Sequence, residues 1–186
     1  MLARGKRNPY LTLDREDMRM SETANAILDA AEERIRDAGY SGFSYRDVAT
    51  DVGVKASSVH YHFPAKEKLA AAVARRYTDR FLDTVDRKAA AGSDIVQAWR
   101  DAFREALQRD GRMCLCGAMA ATSHDLAAEV RDEVKRFFLL GIEKLTKAGL
   151  SGDAAIQALV TLEGAMLAAT LLDDPALFER GTAAIV

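Results

Sequence analysis

The sequence predicts an all-α protein, with a small three-helix domain at its N-terminal end and a larger helical domain after it. Three observations carry that prediction. Apolar residues recur every three or four positions over most of the chain, no segment alternates as a half-buried strand does, and glycines or prolines fall where the helical stripes break off. With 186 residues, 49% of them apolar and 29% charged, the chain can build one core or a small domain joined to a larger one.

Residues 1–20 lack helical periodicity, carry Gly5 and Pro9, and read as a flexible basic arm bearing Arg4, Lys6 and Arg7. A first helix is expected from Thr23, a possible N-cap, to Gly39, with Ile27, Leu28, Ala31 and Ile35 on one stripe. A second starts at Ser44, whose hydroxyl can cap the backbone while Asp47 favours the positive helix end; Val48 and Ala49 face inward and Gly53 lets the chain turn. A third covers about Ala56 to Phe63. Pro64 cannot continue it but suits the first turn of the next, so a fourth helix is placed from Pro64 to about Ala90 on the spacing of Leu69, Val73, Tyr77, Phe81 and Val85.

Beyond Gly92, a fifth helix is expected from Ser93 to Gly111 through Ile95, Trp99, Ala102, Phe103, Ala106 and Leu107. A shorter sixth follows over Met113 to Ala121. Residues 126–148 carry Val130, Val134, Phe137, Phe138 and Leu145, and Asp153 to Leu172 is apolar nearly all round. A helix apolar on most faces needs more than one neighbour, and a twofold partner completing a four-helix bundle is the simplest source. Pro175 opens a last short helix or tail.

Composition excludes several classes. No uncharged apolar run reaches bilayer-spanning length, since residues 154–172 are interrupted by Gln157, Thr161 and Glu163, and the basic start is followed by no apolar leader; a cytoplasmic protein without membrane contact is expected. Two cysteines suggest reduced thiols. No phosphate-cradling glycine loop, HExxH, GxSxG or paired metal motif appears, so neither an enzyme nor a bound cofactor is expected. The net charge of −2 offers nothing to nucleic acid, and residues 1–68 hold eleven Lys or Arg against eleven Asp or Glu. Any such surface must be local, as where Lys55, His60, His62, Lys66 and Lys68 share a short span with Glu67 as its one acid.

Two short helices joined through Gly53 and Val54 and braced by a longer preceding helix make a helix-turn-helix. The segment GVKASSVHYHFPAKEKL, with AILDAA, Gly39–Tyr40 and Val48–Ala49 upstream, resembles the reading segment of the TetR family of bacterial repressors over residues 23–69. The resemblance implies a DNA-binding domain over residues 21–69 and an effector-binding and dimerisation domain over 70–186. It places Tyr61 and Lys66 at phosphates, His60, His62, Lys55 and Ser57 near base edges or the adjoining backbone, and Ser44 and Arg46 at phosphates from the second helix. Small Ala56, Ser57 and Ser58 would let the third helix enter a major groove about 12 Å wide. Val54, Val59 and Phe63 are expected core. The family usually carries a small capping residue where Lys55 stands and often a lysine where Ala56 stands, which leaves this helix start, and any operator sequence, open.

The same resemblance implies a homodimer on double-stranded operator DNA, with reading helices roughly 34 Å apart, released when a small molecule favours a misfitted spacing. Candidate effector-binding residues are Tyr77, Phe81, Trp99, Phe103, Met113, Cys114, Cys116 and Met119, each of which ordinary core packing would also explain. Cys114 and Cys116, with only His124 nearby, are too few for zinc, and two apart on a helix they point away from each other. One buried and one accessible thiol are expected, with Cys114 in the first turn of the sixth helix beside Arg112, where thiolate would be favoured and could serve an electrophile or oxidant sensor; a small buried hydrophobe is the other reading. A helical ligand-binding or scaffold protein that has lost DNA binding is the competing function.

Overall fold

The computed structural model describes residues 15–185, and among these it holds nine α-helices, one 3-10 turn at Ser123–Asp125 and no strand. The first helix, α1 (Arg15–Gly42), begins inside the expected flexible arm. Arg15, Glu16, Met18, Arg19 and Met20 are good helix formers with no glycine or proline among them, so the helix propagates upstream of Thr23. Residues 1–14, with the rest of that arm, lie outside the described residues. Gly39 leaves the helical path at φ 72°, ψ 175°, the break expected there.

Helices α2 (Tyr45–Val52) and α3 (Ala56–His62) follow, and α4 runs from Lys66 to Ala90. Pro64 is not the first helical residue of α4: Ala65 is the N-cap in an extended conformation, so the proline belongs to the link and α4 starts two residues later than expected. Along α4, Leu69, Val73, Tyr77, Phe81 and Val85 are all buried. Helix α1 docks on it through Ile27, Ala31 and Ile35 and through charge: Arg80 reaches both oxygens of the buried Glu32 at 2.6 and 2.8 Å, and Arg76 meets Asp29 at 2.7 Å. Pairing is what makes a carboxylate such as Glu32 tolerable in that interface.

Helix α5 (Ile95–Asp110) starts two residues after Ser93 and is capped by Asp94, its Oδ1 accepting from Val96 N at 2.9 Å and Gln97 N at 3.3 Å, and it stops at Gly111, φ 69°. Helix α6 is short, Leu115–Ala120. Helices α7 (Ala128–Lys147) and α8 (Gly152–Leu171) pack as the expected pair, and α9 (Ala176–Thr182) closes the end behind Pro175.

By length and composition α8 could cross a membrane. Instead Ala155, Leu159, Leu162, Met166 and Ala169 bury one side of it in the body of the protein. Its other side carries Ile156, Val160, Gly164, Leu167 and Leu171, spaced at three and four, of which Val160 is 65% and Leu171 78% exposed.

Candidate nucleic-acid interface and effector core

The geometry of the α2–α3 unit follows from local chemistry. Ser44 Oγ accepts from Asp47 N at 3.3 Å and donates to Asp47 Oδ2 at 2.6 Å, fixing where α2 begins. At its other end Gly53 adopts φ 74°, and Val54 N donates to Ala49 O at 2.9 Å, so the chain reverses direction within the turn. Lys55 is the N-cap of α3 and makes no side-chain cap bond, consistent with its lack of an acceptor.

Helix α3 is anchored by one side. Val59 is fully buried, and Val54 and Phe63 pack against the core beside it. Tyr45, which sequence reasoning passed over, holds the far end: its hydroxyl donates to Phe63 O at 2.6 Å and its ring meets His60 edge-on at 4.4 Å. Burial pushes the Tyr45 phenol up to about 12, so it remains a donor. A lone tyrosine after a capping serine was the available signal.

The opposite side of α3 faces outward. Ser57, His60 and Tyr61, spaced three and four apart, share one exposed face, and Tyr61 is 69% exposed. Arg46 and Lys55 are exposed beside it, as is Ser44, whose hydroxyl already serves the α2 cap. Ser58 and His62 are half-buried, with His62 against the Tyr61 ring. Lys66 differs most from a free surface cation: its ammonium lies 4.6 Å from the Phe43 centroid and 5.0 Å from that of Tyr40, and partial burial lowers its pKa.

The expected effector residues fall in two groups. Phe81 lies 4.9 Å from Phe103, 5.6 Å from Trp99 and 6.0 Å from Tyr77, and Phe137 of α7 joins them at 5.4 Å, giving one aromatic cluster. A cleft of 160 Å³ between α4 and α5 reaches Tyr77 and Phe81. A larger groove of 680 Å³, bounded by Asp83, Asp86, Glu143 and Lys147, includes none of the expected residues. Met119 is fully buried and Met113 partly so.

The cysteines correct the expectation. Both are fully buried, and Cys114 is the N-cap of α6 with ψ 131° rather than a residue of its first turn, so the opposed directions of two helical side chains do not apply. Cys116 Sγ rests 3.8 Å from Thr78 Oγ1. Burial pushes both thiols well above their usual range, Cys114 further through the nearby Glu163 carboxyl, and Arg112 is committed instead to Asp37 at 2.7 Å. Neither thiol is accessible or poised as thiolate.

Four buried polar atoms near these residues have no hydrogen-bond partner: Tyr77 Oη, Trp99 Nε1 and both carboxyl oxygens of Glu163. Glu163 is the only charged residue between Asp153 and Asp173, a signal visible in the sequence but read only as an interruption of an apolar run. Among the described residues no cluster of three or more His, Cys, Asp or Glu is placed to hold a metal.

A sequence profile described as bacterial regulatory proteins, tetR family, matches residues 27–73, which include α2, α3 and the start of α4. An HTH-type transcriptional regulator in the dhlA 5′ region of Xanthobacter autotrophicus is 34% identical over 92 residues; the match spans 48% of this chain and 46% of that protein, about half the length of each. The fold extends the likeness to nearly the whole chain. A TetR-family transcriptional regulator from Agrobacterium tumefaciens superposes with a TM-score of 0.81 at 26% identity, over 88% of this chain and 95% of that one. A TetR transcriptional regulator from Legionella pneumophila gives 0.79 at 28% identity, over 94% and 97%. With the helix-turn-helix and the helical body both matched in one arrangement, the chain is similar to TetR-family transcriptional regulators in its reading segment and in its fold.

Proposed function

We propose that the protein is a repressor that binds a palindromic operator as a homodimer and is released by a small molecule. The observation that carries the reading is the exposed face of α3, where Ser57, His60 and Tyr61 stand outward while Val59 is buried beneath them. Small Ser57 allows close approach to base edges, and Tyr61 offers a hydroxyl to a phosphate without disturbing the packing that orients the helix. Arg46, Lys55, Ser58, His62 and Lys66 flank that face, Lys66 from its seat over Phe43. Residues 21–69 act as the reading domain and 70–186 as the effector and dimerisation domain, with α4 shared between them. Binding chromosomal DNA places this work in the cytoplasm.

The apolar stripe of α8 supports dimerisation. Val160, Leu167 and Leu171 gain most by leaving water, and a second copy related by a twofold axis would cover both stripes at once. Ligand response is supported by a route for strain. Arg36 of α1 donates to Arg112 O and Met113 O, at 3.0 and 2.9 Å, so displacement at the start of α6 would pull on the first helix of the reading head.

The test is fluorescence anisotropy with duplex DNA from upstream of the protein's own gene, together with a reporter on that promoter. Saturable binding of one dimer to a palindromic site, with reporter output rising when the gene is deleted, is the expected result. No preference for that DNA over random duplex, or reporter output that falls on deletion, overturns repression at this site.

A further inference from the structure

The unpartnered carboxyl of Glu163 is the feature of the effector half that packing leaves unexplained. It sits among apolar neighbours on α8, 9% exposed, and burial pushes its pKa up to about 7. The sequence makes room for it: a β-carbon on Gly117 would lie 2.4 Å from Glu163 Oε2 and 2.7 Å from the Met113 methyl. Only the absent side chain at Gly117 lets carboxyl and methyl lie together against α6. Tyr77 Oη and Trp99 Nε1 likewise have no well-aligned partner, and the Cys114 thiol is the one group within hydrogen-bonding reach of both Tyr77 and Glu163. Cys114 is a poor hydrogen-bonding partner for either.

A fold that needed only an apolar core would place leucine or methionine here, because an unsatisfied buried carboxyl and phenol each cost free energy. A group that supplies donors to Glu163 would remove part of that cost. Linked to the carboxyl through Cys114, the Tyr77 ring belongs to a cluster with Phe81, Phe137, Trp99 and Phe103, whose electron-rich faces attract a cation and whose bulk shelters an apolar body. The geometry points to Glu163, Tyr77 and Trp99 as the recognition groups for an apolar organic cation bearing N–H donors, with Glu163 as its counter-charge. The inference rests on reading this domain as an effector domain.

Entry requires side chains to move. The 160 Å³ cleft that reaches Tyr77 and Phe81 is lined by neither Glu163, Trp99 nor Met113 and is smaller than the roughly 300 Å³ at which small-molecule sites begin. Met113, partly exposed and unbranched, shares the space beside Gly117 with the Glu163 carboxyl and is flexible enough to swing aside. Its carbonyl is one of the two that Arg36 holds, so a ligand head displacing Met113 acts on the connection to α1.

Trp99 is the only tryptophan, so its fluorescence reports on the cluster directly. Full-length protein is titrated at pH 8 with three matched probes, 4-phenylbutylamine, 4-phenylbutanol and 4-phenylbutyrate, and DNA binding is followed in parallel. The amine is expected to change Trp99 emission with at least tenfold higher affinity than the alcohol, and the acid not to bind. Glu163→Gln, with native circular dichroism, is expected to lose the tenfold preference while keeping the alcohol. Tyr77→Phe, which removes only the hydroxyl, is expected to weaken the amine several-fold, and it serves as the test if Glu163→Gln does not fold. Equal affinity for amine and alcohol, preference for the acid, or an amine preference that survives both substitutions overturns the site. Amine binding by a protein that ignores DNA would leave the site standing and overturn the regulator reading; DNA binding without any amine preference does the reverse.

Discussion

Arg36 closes a two-bond fork on Asp110, Nη1 to Oδ2 at 2.6 Å and Nη2 to Oδ1 at 3.0 Å, across 74 residues of sequence. The Arg36 side chain is 2% exposed and Asp110 20%. Burial alone would raise the Asp110 carboxyl, but the Arg36 bonds and the Arg112 N–H outweigh it and hold the pKa below its ordinary value. Arg36→Met keeps the stem and removes the charge, taking that donor from two backbone carbonyls and leaving Asp110 only the Arg112 N–H and the more distant Arg109. A loss of about 3 kcal/mol in urea unfolding is expected, as for other broken buried pairs. A loss below about 1 kcal/mol would show that the fork is not a structural tie.

On α3 and α2, charge and hydroxyl should separate in salt dependence. Arg46→Ala removes a cation and is expected to lower the slope of log K against log salt by about one. Tyr61→Ala is expected to weaken binding about tenfold on specific and random DNA alike, with the slope unchanged, since a neutral donor releases no counterion. Anisotropy titrations at several salt concentrations check both, and full affinity in Tyr61→Ala would remove α3 from the interface.

The stripe on α8 predicts the oligomeric state. Val160→Lys and Leu167→Lys change residues that are 65% and 55% exposed, so each chain should keep its helix content. In the dimer each substitution acts twice, forfeiting roughly 2 kcal/mol per buried side chain, and dissociation constants should rise on the order of a thousandfold. Sedimentation velocity reads the shift. Dimers unaffected by both changes would place the interface elsewhere.

Glu163 also fixes a pH dependence without any ligand. Its folded pKa of about 7 stands above the ordinary 4.5, so between those values the unfolded chain has lost the proton while the folded chain retains it. Stability therefore falls as pH rises from about 4.5 to about 7 and stays lower above that, by at most about 3 kcal/mol at roughly 1.4 kcal/mol per unit. Cys114 and Tyr77, the titratable groups beside it, stay protonated throughout because burial raises both. Glu163→Gln should abolish this slope and raise Tm at pH 8 by roughly 5 °C or more. Identical melting curves for the two proteins from pH 5 to pH 8 would mean the carboxyl is hydrated or paired.

The features legible in the sequence are those decided within a few residues. Ser44 caps α2 and Gly53 turns the chain because a hydroxyl three residues from an amide, or a residue free to adopt positive φ, acts whatever lies beyond it. Pro64 misled by two residues because its fixed φ suits a link as well as a first helical turn. The thiols misled for a different reason: their accessibility depends on how α6 is covered by other helices, which no spacing rule records. The seat of Lys66 over Tyr40 and Phe43 was not legible, because those rings become its neighbours only when the end of α1 folds over the start of α4. Glu163 was in plain sight, but its meaning lay in Gly117, on a different helix.

The bond from Tyr45 to the Phe63 carbonyl gives the reading head a mechanical character. With Val59 buried beneath α3 and Tyr45 gripping its end, the head has no loose joint by which its own shape could be tuned. In the proposed dimer the two heads then behave like the points of a pair of callipers: each point is hard, and only the gap between them can be adjusted. Information about the cell would reach the DNA as a distance.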